Sequence, residues 1–428
     1  MIYHLVPWVL AAVAVAVTIV DAEQIRRPAS GMKTLRRKDG LPRWDWTSSD
    51  KKAYGTNLGG LFLLERWMYE DWMVQQGGDD AWDEYTMSKN LGGKMKPILN
   101  DHFESWFTED HMNQLQGAGI NMLRIPIGYW PFLSTEETGE PYQNASHLEK
   151  LSQIMNWSQD RGMYVLLDIH GLPGSQNNDQ SSGRNYTSNN DQQIVDWYSD
   201  ENQKHSRKMV HNILNWLDAQ PSKSVVAGIT TVNEPKVFDN GDYHNKLREF
   251  YDFSLKALKP HGIALVAHHA FVADPYDYWH DYADRQERGT FVFDDHPYPA
   301  WFQNPEPTNR KDLIQNICNF RDQMSGFPAP VLYGEFSGIT AVDDNDWVGH
   351  YVKTQLKVYG WSAGSTFLNF RMNFASNPVL ALPDHLQWKY SMLNLLDGLI
   401  PSRDQSKSVV DWTDSLSSRC GGNPQLSW

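Results

Sequence analysis

Basic charge is scarce and scattered in this chain. Against 52 Asp and Glu it carries 38 Lys and Arg, a formal charge of −14, and the only basic block is Arg36-Arg37-Lys38. A chain without a concentrated positive patch has no electrostatic grip on a phosphate backbone, so nucleic acid is excluded as the expected partner class. Cysteine is nearly absent. Cys318 and Cys420 stand alone, in no spacing that fits a metal site or thiol catalysis, which leaves either one long-range bridge from the C-terminal tail to a helix near 314–324 or two buried thiols. There is no Gly-rich dinucleotide loop after the first strand-like run and no Pro/Ser/Gly linker in the middle, so a doubly wound nucleotide fold and a two-domain split are both disfavoured. The apolar stretch Leu5–Val20 falls short of the roughly 20 residues of a comfortable membrane span.

That same stretch, followed by Val20-Asp21-Ala22, has the form of a signal peptide over residues 1–22, although MIYH lacks the usual leading Lys or Arg; an N-terminal anchor is the alternative. Residues 23–43 read as a propeptide or unstructured lead-in, since the segment is polar and broken by Pro28, Gly31 and Gly40, with Arg36-Arg37 suited to a processing protease. Three glycosylation triplets, starting at Asn144, Asn156 and Asn185, agree with export. The expected location is therefore extracellular, with the cell wall as one destination and no stable membrane association after cleavage. Export favours the bridge between the two cysteines.

Aromatic residues are plentiful, with 18 Trp and 19 Tyr. Large rings fill cores, but those exposed in a cleft stack on the apolar faces of sugars. Through residues 44–428, short apolar runs alternate with helical patterns. Strands are expected over 53–57, 122–126, 164–168, 226–233, 263–267, 291–294, 331–334 and 364–368, with helices over 108–118, 148–161, 206–219 and 243–258 between them. Eight such alternations predict a single (β/α)8 TIM barrel. Glu234 and Glu335 then follow strands four and seven, at the end of the barrel where catalytic groups sit, and both are expected on rigid elements. Two carboxyl groups facing across that mouth suit glycosidic bond cleavage, and a separation of about 5–5.5 Å would make the reaction retaining. The carboxylates would supply nucleophile and proton themselves, so neither metal nor organic cofactor is called for.

The ordered series YGTNLGGLFLLERW (54–67), DEYT (83–86), RIPIGYW (124–130), LLDIHGLPGSQN (166–177), NEP (233–235), DDHPY (294–298), GEFS (334–337) and WKYSMLNLLDGLIP (388–401) resembles glycoside hydrolase family 5, and within it the fungal exo-β-1,3-glucanases. The resemblance spans nearly all of 54–401. It implies Glu234 as acid/base, Glu335 as nucleophile, Asn233 as a contact to the sugar 2-hydroxyl and Arg124 as the group holding the nucleophile. It further implies His170, His296 and Tyr298 in the inner shell, Glu65 on the outer hydroxyls of the terminal sugar, and Trp301 as half of an aromatic clamp for the next sugar. Trp130 and Trp361 are weaker candidates that core packing would also explain.

Two departures bear on substrate. In SQNNDQSSG, Asp179 stands where these glucanases carry an aromatic, and in STFLNFRM the usual tryptophan beneath the first sugar is replaced by Leu368 or Phe370. The implied activity is a secreted, retaining β-glycosidase releasing glucose from β-glucan. The alternatives are a β-1,6-glucanase, a β-glucosidase acting on small glucosides, or a non-catalytic carbohydrate-binding barrel.

Overall fold

The computed structural model describes residues 40–185, 195–300, 310–340, 342, 344–373, 388–396, 398–424, 426 and 428. The proposed signal peptide and most of the lead-in lie outside these residues, as does Trp301.

Eight strands run in chain order: β1 Ala53–Asn57, β2 Met122–Gly128, β3 Tyr164–Gly171, β4 Val226–Thr230, β5 Ala264–His268, β6 Phe291–Asp295, β7 Val331–Phe336 and β8 Gly364–Phe367. Each pairs in parallel with its neighbours in sequence, and β8 closes on β1. This is the expected (β/α)8 barrel. Every strand is buried along its whole length, which explains their legibility: a parallel strand covered on both faces must read as a near-continuous apolar run. Helices including Glu109–Gly117, His147–Arg161, Asp200–Asp218 and Gly241–Leu258 form the outer layer, with apolar stripes such as Met209, Val210, Ile213, Leu214 and Leu217 turned inward. Trp130 and Trp361 belong to this core, each only 1% exposed.

The packed region starts before residue 44. Leu41 is buried, its amide donates to Ser224 Oγ, and Tyr164 donates to the Pro42 carbonyl. At the other end Cys318, on the helix Arg310–Gly326, is disulfide-bonded to Cys420 across 102 residues of sequence. Among the described residues, no helix is long and apolar enough to cross a membrane.

One buried acid makes stability pH-dependent. Glu84, at the start of the helix Glu84–Leu91, accepts from the Leu64 amide at 2.7 Å and so pins the segment that carries Glu65. Burial pushes its carboxyl up to about 8, because the Leu64 hydrogen bond only partly opposes desolvation. With the unfolded value near 4.5, the folded state binds this proton more tightly; the resulting stability is complete below the unfolded value and is lost as pH rises toward 8. Melting temperature is therefore expected to fall across that window, and Glu84→Gln, which stays neutral, should flatten the decline. Parallel pH profiles for the two proteins in differential scanning calorimetry would refute this.

Candidate active site

The strand ends converge on one buried guanidinium. Arg124 projects from β2 with no exposed surface, and its Nη1 donates to Glu335 Oε1 and to Asn57 Oδ1, both at 2.8 Å. Nη2 donates to Asn233 Oδ1 at 2.7 Å and lies 3.2 Å from Asp168 Oδ2. A full charge taken out of water is tolerable only with such a ring of acceptors. Asn57 is held in turn: its Nδ2 donates to the carbonyls of Gly334, Thr366 and Phe367.

Glu335 lies inside β7, as expected of a group on a rigid element. The residue before it must be glycine. A Cβ on Gly334 would lie 2.2 Å from Asp294 Oδ1, the same oxygen that accepts from the Gly334 amide at 3.0 Å. Tyr298 donates to Glu335 Oε2 at 2.8 Å. Burial alone would raise the carboxyl pKa, but His296, Arg124, His170 and the Tyr298 hydrogen bond together outweigh it and hold Glu335 below the ordinary value. Glu335 is thus kept anionic.

Glu234 corrects the expectation of a rigid strand end. β4 stops at Thr230, and Glu234 stands in the turn beyond it with φ +45°, a left-handed conformation uncommon for a residue with a side chain. Gln176 braces that turn from the loop after β3: its Nε2 donates to the carbonyls of His170 and Asn233, at 2.7 and 2.9 Å, and its own carbonyl accepts from the Lys236 amide. His296 Nδ1 donates to Glu234 Oε1 at 2.7 Å and lies 3.9 Å from Glu335 Oε2. Both spans start from one nitrogen, so the two carboxylate oxygens lie within their sum, about 6.6 Å, of each other. Burial opposes protonation of His296, yet the charges of Glu335 and Asp294 and its hydrogen bonds raise its pKa well above the ordinary value. These neighbours favour the protonated ring.

His170 donates from Nδ1 to Asp168 Oδ2 and faces Glu65 Oε1 at 3.9 Å. Glu65 also accepts from Trp67 Nε1 at 2.9 Å, and its pKa is pushed up to about 7 by burial, against the pull of His170. Asn233 is fully buried, and its Nδ2 finds no protein acceptor among the described residues. Eight of the nine residues singled out in the sequence as active-site candidates are thus linked to one another, directly or through Asp168: Glu65, Arg124, His170, Asn233, Glu234, His296, Tyr298 and Glu335. The ninth, Trp301, lies outside the described residues.

Of these groups Glu65, His170, Glu234, Tyr298 and Glu335 border a cleft of about 500 Å³, whose apolar lining includes Trp67, Met68, Phe271, Leu368 and Tyr390. The choice between Leu368 and Phe370 is resolved by position: Leu368 lines the cleft, whereas Phe370 is buried against Phe107 and His111. The Leu368–Asn369 peptide is cis. Asn57, Asp168, Gln176 and Asp294 escaped the sequence reading. For two of them a signal existed, because Asp168 on β3 and Asp294 on β6 each precede a chosen histidine by two residues, the spacing that puts extended residues on one face.

Glu234, His268 and His296 also bring one ligand atom each within 4.8 Å of one another. His268 Nδ1 accepts from the Ala270 amide at 3.1 Å, which leaves the proton of the neutral ring on Nε2, so the ring as bonded offers no free lone pair.

The cellulase (glycosyl hydrolase family 5) model matches residues 83–366. A probable glucan 1,3-beta-glucosidase A from Aspergillus clavatus is 31% identical over 292 residues, covering 66% of this chain and 64% of the relative. A glucan 1,3-beta-glucosidase from Blumeria graminis is 28% identical over 296 residues, covering 68% and 65%. The chain thus spans a little under two thirds of these relatives' length. Among solved structures, rutinosidase from Aspergillus niger superposes with a TM-score of 0.70 at 19% identity, covering 82% of this chain and 98% of that one, a likeness of fold.

Proposed function

We propose, because the chain belongs to glycosyl hydrolase family 5, the cellulase family, that it is a retaining β-glycosidase releasing glucose from β-glucan by double displacement. The single observation that carries this reading is the placing of His296 against both acids, which bounds their facing oxygens to about 6.6 Å. That bound admits the roughly 5–5.5 Å carboxyl separation of a retaining pair.

In this mechanism Glu335 Oε2 or Oε1 attacks the anomeric carbon while Glu234 gives its proton to the departing oxygen, so the glycosidic bond breaks as the glycosyl ester forms. Arg124, Tyr298 and His296 keep the nucleophile anionic before attack. Once the ester has formed, the Glu335 charge is gone; Glu234 takes a proton from water, whose oxygen displaces Glu335 and gives sugar of retained configuration. Asn233 Nδ2 has a hydrogen-bond donor to spare for the 2-hydroxyl, and Glu65 and His170 are set to bind hydroxyls farther round the ring.

The names of the Aspergillus and Blumeria relatives support a 1,3-linked glucan as substrate; Leu368 in place of a flat ring in the cleft argues for weaker stacking on the first sugar. The disulfide fits secretion into an oxidising compartment. Incubation with laminarin, pustulan and cellobiose, with products followed by chromatography and by proton NMR of the first anomer formed, is expected to give β-glucose from laminarin. α-Glucose as the first product would exclude retention, and oligosaccharides in place of glucose would exclude the exo mode.

A further inference from the structure

The acid's side of the cleft carries a charge pair that bond cleavage itself does not require. Lys236 follows Glu234 by two residues, and its Nζ lies 2.7 Å from Oδ2 of Asp179, on the loop after β3. Both side chains line the cleft and remain partly open to it, at 30% and 45% exposure. The same loop adds Gln180 and Ser181 to this wall. The pair is positioned by the brace already described, since the Lys236 amide donates to the Gln176 carbonyl at 3.0 Å. Asp179 is also near enough to Glu234 for the charge of one to act on the other. Part-exposed ion pairs contribute little to stability, so folding alone does not account for two charges here.

The acid protonates the oxygen of the leaving group, so whatever departs lies beside Glu234 and against this wall. A cationic donor next to an anionic acceptor matches neighbouring hydroxyls of a sugar, one accepting from Lys236 and the next donating to Asp179. An aromatic leaving group would cover both charges and return no hydrogen bond, at the cost of desolvating them. Resting on the glycosidase reading above, we infer that Lys236 and Asp179 are specificity-determining contacts to the leaving group, and that they select a polyhydroxy sugar over an aryl group.

The test compares two substrates with the same glucosyl group: 4-nitrophenyl β-glucoside, and whichever of laminaribiose or gentiobiose the full-length wild type cleaves. Lys236→Met and Asp179→Asn should each lower kcat/KM on the disaccharide by about tenfold or more, the loss expected for one charge-assisted hydrogen bond. The aryl glucoside should fall by under about threefold, and Lys236→Arg should recover part of the disaccharide activity. Equal losses on both substrates, or an unchanged ratio, in an active enzyme would overturn this inference alone. Absence of wild-type turnover on every glucoside would instead overturn the glycosidase reading, and this inference with it.

Discussion

Glu335→Gln is expected to lower kcat/KM on laminarin by at least about 10³-fold, equivalent to ~4 kcal/mol of barrier, with little change in melting temperature. The substitution keeps side-chain volume but removes the charge that must attack the anomeric carbon. It also replaces an acceptor oxygen by an NH2 group facing either Arg124 or Tyr298, both of which donate to the native carboxylate. The fold should survive because Arg124 retains Asn57, Asn233 and Asp168 as partners. Steady-state kinetics gives the loss, and a 2-deoxy-2-fluoro glucoside with a good leaving group gives an independent readout: intact protein should gain the mass of one fluoroglucosyl group, attached at Glu335 in the wild type and absent from the variant. Near-normal turnover by Glu335→Gln, or a label on another residue, would remove Glu335 from the nucleophile's role. Unaltered glucan binding with no turnover even in the wild type would instead favour a sugar-binding barrel.

The barrel was legible because its strands obey one rule. Covered by helices outside and packed side chains inside, parallel strands read as mostly apolar or β-branched runs, as VAGIT of β4 and ALVAH of β5 do, and the expected bounds of the first strand, 53–57, coincide with those of β1. The site was legible where a strand carried its residue directly, as with Arg124 on β2 and Glu335 on β7. It became illegible where long-range geometry decides. The turn that holds Glu234 at positive φ depends on Gln176, 58 positions earlier, and no local pattern signals that a glutamine will brace two backbone segments through three hydrogen bonds. The ion pair of Asp179 with Lys236 is hidden for the same reason: each residue alone reads as a solvated loop charge, and only the pairing of β3 with β4 brings the loops after them together. Leu368 and Phe370 both lie beyond the end of β8 at Phe367, the first lining the cleft and the second packed on Phe107 and His111. Alternation alone does not tell them apart, since the two lie two positions apart and share a phase.

Glu234→Ala is expected to produce a loss that depends on the leaving group, and this dependence separates an acid from a merely structural glutamate. A sugar alkoxide cannot leave without a proton, so laminaribiose should lose about 10²–10⁴-fold in kcat/KM, the usual range for general acid catalysis. 2,4-Dinitrophenol leaves as a stable anion, so formation of the glycosyl ester from its β-glucoside should be far less affected. Breakdown of that ester still needs a base to activate water, so the variant should show a burst of dinitrophenol followed by slow turnover. Azide requires no deprotonation; added to the variant it should restore steady turnover and yield the β-glycosyl azide, whose configuration also reports retention. The physical basis is the placing of Glu234 on the cleft wall, with His296 Nδ1 donating to one of its oxygens at 2.7 Å while Glu335 Oε2 lies 3.9 Å from the same nitrogen. Losses of similar size on both substrates, with no burst and no azide product, would mean that Glu234 shapes the site through His296 without transferring a proton, and the double displacement would then need another acid.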